Sequence, residues 1–259
     1  MGIIAALIKS GKTVAPFKKG PDYIDAGWLA LAAHRQCYNL DTFLIQKETI
    51  LKSFACYTQR SDLAVIEGNR GLYDSIDREG NTSTAELAKL LDLPVILCID
   101  GTKTTRTMAA VVLGCQHFDP GVKIKGVILN RVAGKRHETN LKTCIEHYCQ
   151  IPVLGAVPKL KEQPFPERHM GLVPTPEHAW ARTSVDDIAA VISKHLDLDA
   201  ILDIARTGGE AASNEQPTRE AQSVTTAARE FSSDESSLDT CVEKYHVAGD
   251  APRIGIIRD

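Results

Sequence analysis

No apolar run in these 259 residues reaches the roughly 18 consecutive positions that a membrane-spanning helix requires. No basic residue precedes the first apolar run, Ile3 to Ile8, which makes it a poor signal peptide. The Ser or Thr that N-myristoylation uses near the start is also missing. Neither sign of charge dominates: 30 Lys and Arg face 33 Asp and Glu, a net charge of −3. Nothing in that balance calls for nucleic acid or an acidic membrane surface as a partner. The seven cysteines contain no Cys-x-x-Cys pair. Cys144 and His147 could share a helix face, but a zinc site needs more ligands than two. Internal repeats are absent. These absences lead to the expectation of a cytoplasmic protein with reduced thiols and no membrane or nucleic-acid partner.

What is present is ordinary globular material, with 43% apolar and 24% charged residues. Leu63–Glu67, Pro94–Asp100, Ile124–Asn130 and Val153–Val157 are short apolar runs that read as buried parallel strands. Between them, Lys47–Tyr57, Thr105–Phe118 and Lys135–Cys149 have helical spacing, and Thr82 or Ser83 can cap a helix through Leu91. Residues 3–10 read as a helix closed by Gly11, with a strand beginning at Thr13. Ala26–Ala33 suits a short helix, and Asn39-Leu40-Asp41 a turn-like stretch. The Pro-rich stretch 164–176 reads as a loop, and 176–205 as one or two amphipathic helices. Strands alternating with helices imply a mostly parallel α/β sheet.

Ligands of open α/β sheets bind beyond the strand C-termini. Polar residues gather there: Lys18, Glu67, Asp74, Asp100 and Asn130. The densest cluster is Pro16–Asp25, where Lys18 and Lys19 precede a Gly-Pro turn followed by Asp22, Tyr23 and Asp25. Gly11-Lys12-Thr13 looks like the tail of a phosphate-binding P-loop but follows a helix and precedes a strand. The phosphate-binding arrangement needs the reverse order.

Several stretches together carry a resemblance: PFKKGPDYID (16–25), NLD (39–41), VIEGNRGLYD (65–74), PVILCID (94–100), FDPGVKIKGVILNRV (118–132) and PERHMGLVP (166–174). In this order they resemble the N-terminal synthetase domain of the cobyrinic acid a,c-diamide synthase family. Its members are P-loop amidoligases related to dethiobiotin synthetase and to MinD/ParA ATPases. Nickel-sirohydrochlorin a,c-diamide synthase shares nearly the same series, and a MinD/ParA-type ATPase switch is a further alternative, although such a switch has no need of the 16–25 cluster. The resemblance implies a ligase of cobalamin biosynthesis. ATP would activate the a and c acetate carboxylates of a corrin, cobyrinic acid, as acyl phosphates, and ammonia from glutamine would complete the amides. It implies ATP and Mg²⁺ as cofactors, and a homodimer is among the expected states. Residue by residue, it implies Lys18 as a phosphate contact, Asp41 and Glu67 as Mg²⁺ ligands, and Asn130 as the reader of the adenine edge. Asp22, Tyr23 and Asp25 would position the substrate, with Asp74, and Tyr73 beside it, in the same neighbourhood. Arg168 and His169 receive no role.

The chain departs from the family pattern in several places. The family begins with a strand and a Gly-rich Walker A loop, and this chain is expected to start in the helix after them. Two strand edges would then lie unpaired, and the polypeptide alone is expected to be inactive. Residues 1–205 are expected to form the synthetase domain and 206–252, rich in Ser, Thr, Glu and Ala, a disordered linker. Residues 253–259 are expected to be the first strand of a glutamine amidotransferase domain; Cys241, in the linker, is not its nucleophile. In VIEGNRGLYD, Asn69-Arg70 stands where an apolar pair is expected.

Overall fold

A computed structural model describes residues 1–160, 167–168, 171–172, 174–175, 180–213 and 253–258, with the backbone alone for 167–168, 171–172, 209–213 and 253–258. Cys241, His169 and most of the expected linker lie outside the described residues.

The first helix, α1 (Gly2–Lys9), buries Ile3, Ile4, Ala5, Ala6 and Leu7. Gly11, at φ +84°, then turns the chain into β1 (Val14–Lys19), a left-handed conformation that glycine takes without steric cost. Gly11-Lys12-Thr13 thus lies between a helix and the following strand, and Thr13 is tied through its N–H and hydroxyl to Asp62. Asp22 caps α2 (Tyr23–Ala33), accepting the N–H groups of Ile24 and Asp25. The cap starts this helix three residues before the apolar pattern does. Next comes β2 (Tyr38–Leu40), where the sequence suggested a turn; it pairs in parallel with β1, Lys18 opposite Asn39. A strand of three residues has too little pattern to read locally, and only its partner defines it.

The remaining alternation follows the apolar runs: α3 (Lys47–Tyr57), β3 (Leu63–Glu67), α4 (Thr84–Leu90, capped by the Ser83 hydroxyl), β4 (Val95–Asp100), α5 (Arg106–Phe118), β5 (Ile124–Val132), α6 (Lys135–Cys149) and β6 (Val153–Pro158). Two short strands, β7 (Glu167–Arg168) and β8 (Gly171–Leu172), pair antiparallel where a loop was expected. They are followed by α7 (Ala181–His195) and α8 (Leu198–Ser213). The last helix runs through the expected domain boundary at 205, so residues 206–213 are helical. No described helix is long and apolar enough to cross a membrane.

A seven-stranded sheet, all its pairs parallel, has the order β2-β1-β3-β9-β4-β5-β6, where β9 is Arg253–Arg258. This strand was expected to open another domain. Its backbone instead pairs with β3 on one side (Ala64 opposite Arg253, Glu67 opposite Ile256) and β4 on the other (Val95 opposite Gly255, Cys98 opposite Arg258). The two edges expected to lie unpaired are therefore both paired.

Strand residues alternate between the two faces, as a period of two requires. Val14, Leu63, Val65, Ile96, Ile128 and Leu154 pack against α1, α2, α7 and α8. Ala15, Phe17, Ala64 and Ile66 pack with residues of α3 and α4, while Leu97, Ile99, Val127 and Leu129 pack with α5 and α6. At the far edge Gly155 (φ +149°) lets α7 close on β6, because a Cβ there would lie 2.3 Å from the His195 carbonyl oxygen.

A central strand donates and accepts ladder hydrogen bonds on both sides, so proline there removes a bond the sheet cannot replace. Gly255→Pro is expected to lower the melting temperature of the whole chain in a single calorimetric transition. An unchanged melting temperature would mean that β9 does not complete this sheet.

Candidate active site

The site is built at the C-terminal end of β1, β2 and β3. Lys18 lies on the same sheet face as Val14, beneath α1 and α2, and is only 2% exposed. Strand register puts Glu67 directly beside it on β3, and the capped first turn of α2 brings Asp25 over it. The Lys18 ammonium lies 2.9 Å from Asp25 Oδ2 and 3.2 Å from Glu67 Oε1, and donates to the Gly68 carbonyl at 3.0 Å. Burial alone would lower the Lys18 pKa. The charges of Glu67 and Asp25, and their hydrogen bonds, outweigh it and hold the group above its ordinary value. The second oxygen of Glu67 accepts from the Met1 ammonium at 3.3 Å. Two ammonium groups thus face two carboxylates, which is how buried charge is tolerated.

The neighbouring loops are ordered by their own polar side chains. Asn39 donates to the carbonyls of Gly20 (2.6 Å) and Asp22 (3.0 Å), joining the β1 and β2 loops. Asp41 is buried, and its Oδ1 accepts the N–H groups of Phe43 and Leu44. Asp74 accepts the Gly71 N–H at 3.1 Å within the β3–α4 loop. Tyr73 turns away: its hydroxyl donates to the Cys115 carbonyl at 2.6 Å on α5, and its pKa is pushed up to about 12, chiefly by burial. Burial, with the charge of Glu67 behind it, likewise pushes the Cys37 thiol up to about 12, so it is no nucleophile at neutral pH.

Farther along the edge, the exposed Asn130 follows the buried run Gly126–Leu129 of β5, opposite Asp100. Its carbonyl accepts the Gly101 N–H (2.8 Å), and its Oδ1 accepts the Arg131 N–H (2.9 Å). Hydrogen bonds from Thr102, followed by the Arg131 charge, hold the Asp100 carboxyl below the usual range. His137 staples the two loops: Nδ1 accepts the Ala133 N–H (3.1 Å), leaving Nε2–H to donate to the Thr104 carbonyl (2.6 Å).

Of the expected residues, the structure brings Lys18, Asp25 and Glu67 into contact. Asp22 caps the helix that carries Asp25, and Tyr23, 72% exposed, stands at its start. Asp41 follows β2, with β1 between it and Glu67, and lies two residues past Asn39 in the Glu67–Lys18–Asn39 row, so their backbones are about 12 Å apart. Asn130 is three strands from Glu67, across β9 and β4, and four residues farther along than the row Glu67–Ile256–Ile96–Gly126, so their backbones are about 20 Å apart. Sequence reading assigned no role to the Gly68 carbonyl, the Met1 ammonium or His137; none has a motif. Asn39 was visible only as part of NLD.

Mg²⁺ takes hard oxygen ligands in near-octahedral geometry. Among the described residues no three Asp, Glu, His or Cys side chains form a metal-binding group, and both Glu67 oxygens already face ammonium groups. The arrangement therefore fits Mg²⁺ only as an ion that brings most of its ligands with it, as phosphate oxygens and water.

Residues 29–165 match the family model described as an AAA domain. The chain is 45% identical over 217 residues to a protein of Magnetococcus marinus named cobyrinate a,c-diamide synthase, covering 84% of this chain and 46% of that protein. Proteins of the same name from Archaeoglobus fulgidus and Salmonella typhimurium are each 42% identical over 206 residues, covering 79% of this chain and 45% of each relative. The chain spans less than half the length of these relatives.

Removing the ammonium would leave the partly buried Asp25 and Glu67 carboxylates side by side, with only the Met1 ammonium on Glu67 to offset them. Lys18→Met is expected to cost about 3–5 kcal/mol in denaturant unfolding at neutral pH. In the unaltered protein the raised Lys18 pKa sets the pH range of this contribution. Its pairing contributes fully below pH 10.5, the unfolded value, and fades only as alkali passes the higher folded value. A neutral-pH loss below about 1 kcal/mol would contradict the buried pairing.

Proposed function

The chain belongs to the AAA domain family, and from that premise we propose that it is the ATP-using part of a ligase of cobalamin biosynthesis that amidates the a and c acetate groups of cobyrinate. The observation that carries this reading is the 42–45% identity, over about four fifths of the chain, to proteins named cobyrinate a,c-diamide synthase. The cluster around Lys18 supports it, lying where open α/β sheets bind ligands.

A carboxylate is a poor acyl donor, and phosphorylation turns one of its oxygens into a leaving group. In the proposed reaction a substrate carboxylate oxygen takes the γ-phosphoryl group of ATP, and ADP departs. Ammonia, released from glutamine by hydrolysis, attacks the acyl carbon. Phosphate leaves with the former carboxylate oxygen, and the amine loses its proton to give the amide. Phosphoryl transfer of this kind rests on positioning and charge neutralisation.

Lys18 supplies a fixed cation for the transferred phosphate, already oriented by Asp25 and Glu67. Asp22 fixes the start of α2, which places Asp25 and the exposed Tyr23 at the substrate side. Asp74 orders the β3–α4 loop in the same neighbourhood. Asn130, held by Gly101 and Arg131, is the residue to read the adenine edge, leaving the nucleotide to lie across β9 and β4. Glu67 and Asp41 would help hold Mg²⁺ through water, and the ion would offset charge on the phosphates. A reaction that uses ATP and glutamine fits a cytoplasmic setting.

Glu67→Gln keeps the shape of the side chain and leaves Lys18 its Asp25 partner. In an assay of cobyrinate amidation with ATP and glutamine, run on a protein of the relatives' full length that carries these residues, it is expected to reduce the rate by about 10²-fold or more, with the circular dichroism spectrum unchanged. Amide formation at the unaltered rate would remove Glu67 from the phosphate site.

A further inference from the structure

Arg70 is the departure from the family pattern that the reading above leaves without a role. It is exposed, and its φ of +55° puts a long side chain on left-handed backbone. Such backbone costs energy in a non-glycine residue and persists where the surroundings over-determine it. Here they do. On one side the Thr84 hydroxyl binds both the N–H and the carbonyl of Asn69 at 3.3 Å, and on the other Gly71 and Asp74 close a turn through a hydrogen bond from the Gly71 N–H to the Asp74 carboxylate. The Asn69 amide reaches the β1 loop, 3.4 Å from the position a Cβ would take at Gly20. Lys19 precedes that glycine, so two cations stand on abutting loops. Among the described residues neither makes an ion pair with a carboxylate. Burial, and after it repulsion from Arg70 and Lys18, lowers the Lys19 pKa against the pull of Asp41.

Around this pair the surface is unusually apolar for loops. Tyr23 follows β1, Phe43 and Leu44 follow β2, and Ile76 follows β3; they are 72%, 66%, 65% and 69% exposed. These strands are neighbours, β2-β1-β3, so three consecutive loops at one sheet edge each carry a large exposed apolar side chain. The loops are held in place by Asn39, by Asp41 and by the Ser75–Thr82 hydroxyl pair (2.8 Å). A rigid apolar rim beside two cations matches a large ring with apolar faces and carboxylates at its periphery.

We propose that Arg70, with Lys19 beside it, is a specificity-determining residue that binds a peripheral carboxylate of the macrocyclic substrate, while Tyr23, Phe43, Leu44 and Ile76 support the apolar face of the ring. This rests on the cobyrinate reading above. The carboxylate bound by Arg70 is one that is not being amidated, since the phosphoryl group is received at Lys18.

The test is fluorescence titration of the full chain with cobyrinate and, separately, with Mg·ATP, for the unaltered protein and for Arg70→Gly and Arg70→Lys. Glycine removes the guanidinium and also relieves the left-handed backbone. Arg70→Gly is therefore expected to melt at the same temperature or higher, to bind Mg·ATP unchanged, and to bind cobyrinate about tenfold or more weakly, the range of a lost charge-assisted hydrogen bond. Arg70→Lys keeps the charge and is expected to recover part of the affinity. Opposite movement of stability and cobyrinate affinity is something a merely structural role would not produce. Equal cobyrinate affinity in the unaltered and glycine proteins would overturn the assignment of Arg70 and leave the reading of the site standing. Failure of the unaltered protein to bind cobyrinate would overturn that reading and this inference with it.

Discussion

The site depends on one buried cation. The Lys18 ammonium is held by carboxylates from two different elements, Asp25 on α2 and Glu67 on β3, and by the Gly68 carbonyl. A lysine so deeply buried is stable only with its charge matched, and the matching residues are fixed by the fold. Glu67 is set by strand register, and Asp25 by the Asp22 cap that starts α2. The same contacts that neutralise the ammonium also fix its place at the C-terminal end of β1. Under the proposed function, stability and catalysis therefore draw on the same few groups, and replacing any of them touches both.

Along that edge the chemistry is divided. The β1–β3 side carries the Lys18 cluster, the cations Lys19 and Arg70, and exposed apolar residues. The β4–β5 side carries Asp100, Asn130 and Arg131, with two loops stapled by His137. Between the two sides lies β9, the last described strand, with both its neighbours paired to it. The strand that closes the gap in the sheet also fixes the distance between the two halves of the site.

Much of this was legible in the sequence where structure is local. Apolar runs of five or six residues gave β3, β4 and β6, and helical spacing gave α3, α5 and α6, because side-chain periodicity is a property of each segment alone. The rejection of Gly11-Lys12-Thr13 as a phosphate loop needed only the order of helix and strand. What escaped was non-local. Only its pairing with β1 defines β2, and nothing within residues 253–258 says that they lie between β3 and β4. At the site, the motif-bearing residues Lys18, Asp25 and Glu67 could be picked out together. Asp41 could not be distinguished from a turn-former by its type, and Tyr73 went to α5 because its ring packs at a tilt against Phe118 and its hydroxyl bonds the Cys115 carbonyl. Arg70 was visible as a departure from pattern, but its meaning came from backbone geometry.

The central claim is that Lys18 is a buried, carboxylate-held ammonium that receives phosphate. Nitrogen-15 NMR of the lysine side chains observes that group directly. The account predicts one ammonium signal whose protons exchange slowly with water, which is lost in Lys18→Met and shifts when Mg·ATP is added. A Lys18 ammonium that exchanges as fast as the surface lysines, or a slow one that Mg·ATP leaves unmoved, would contradict it.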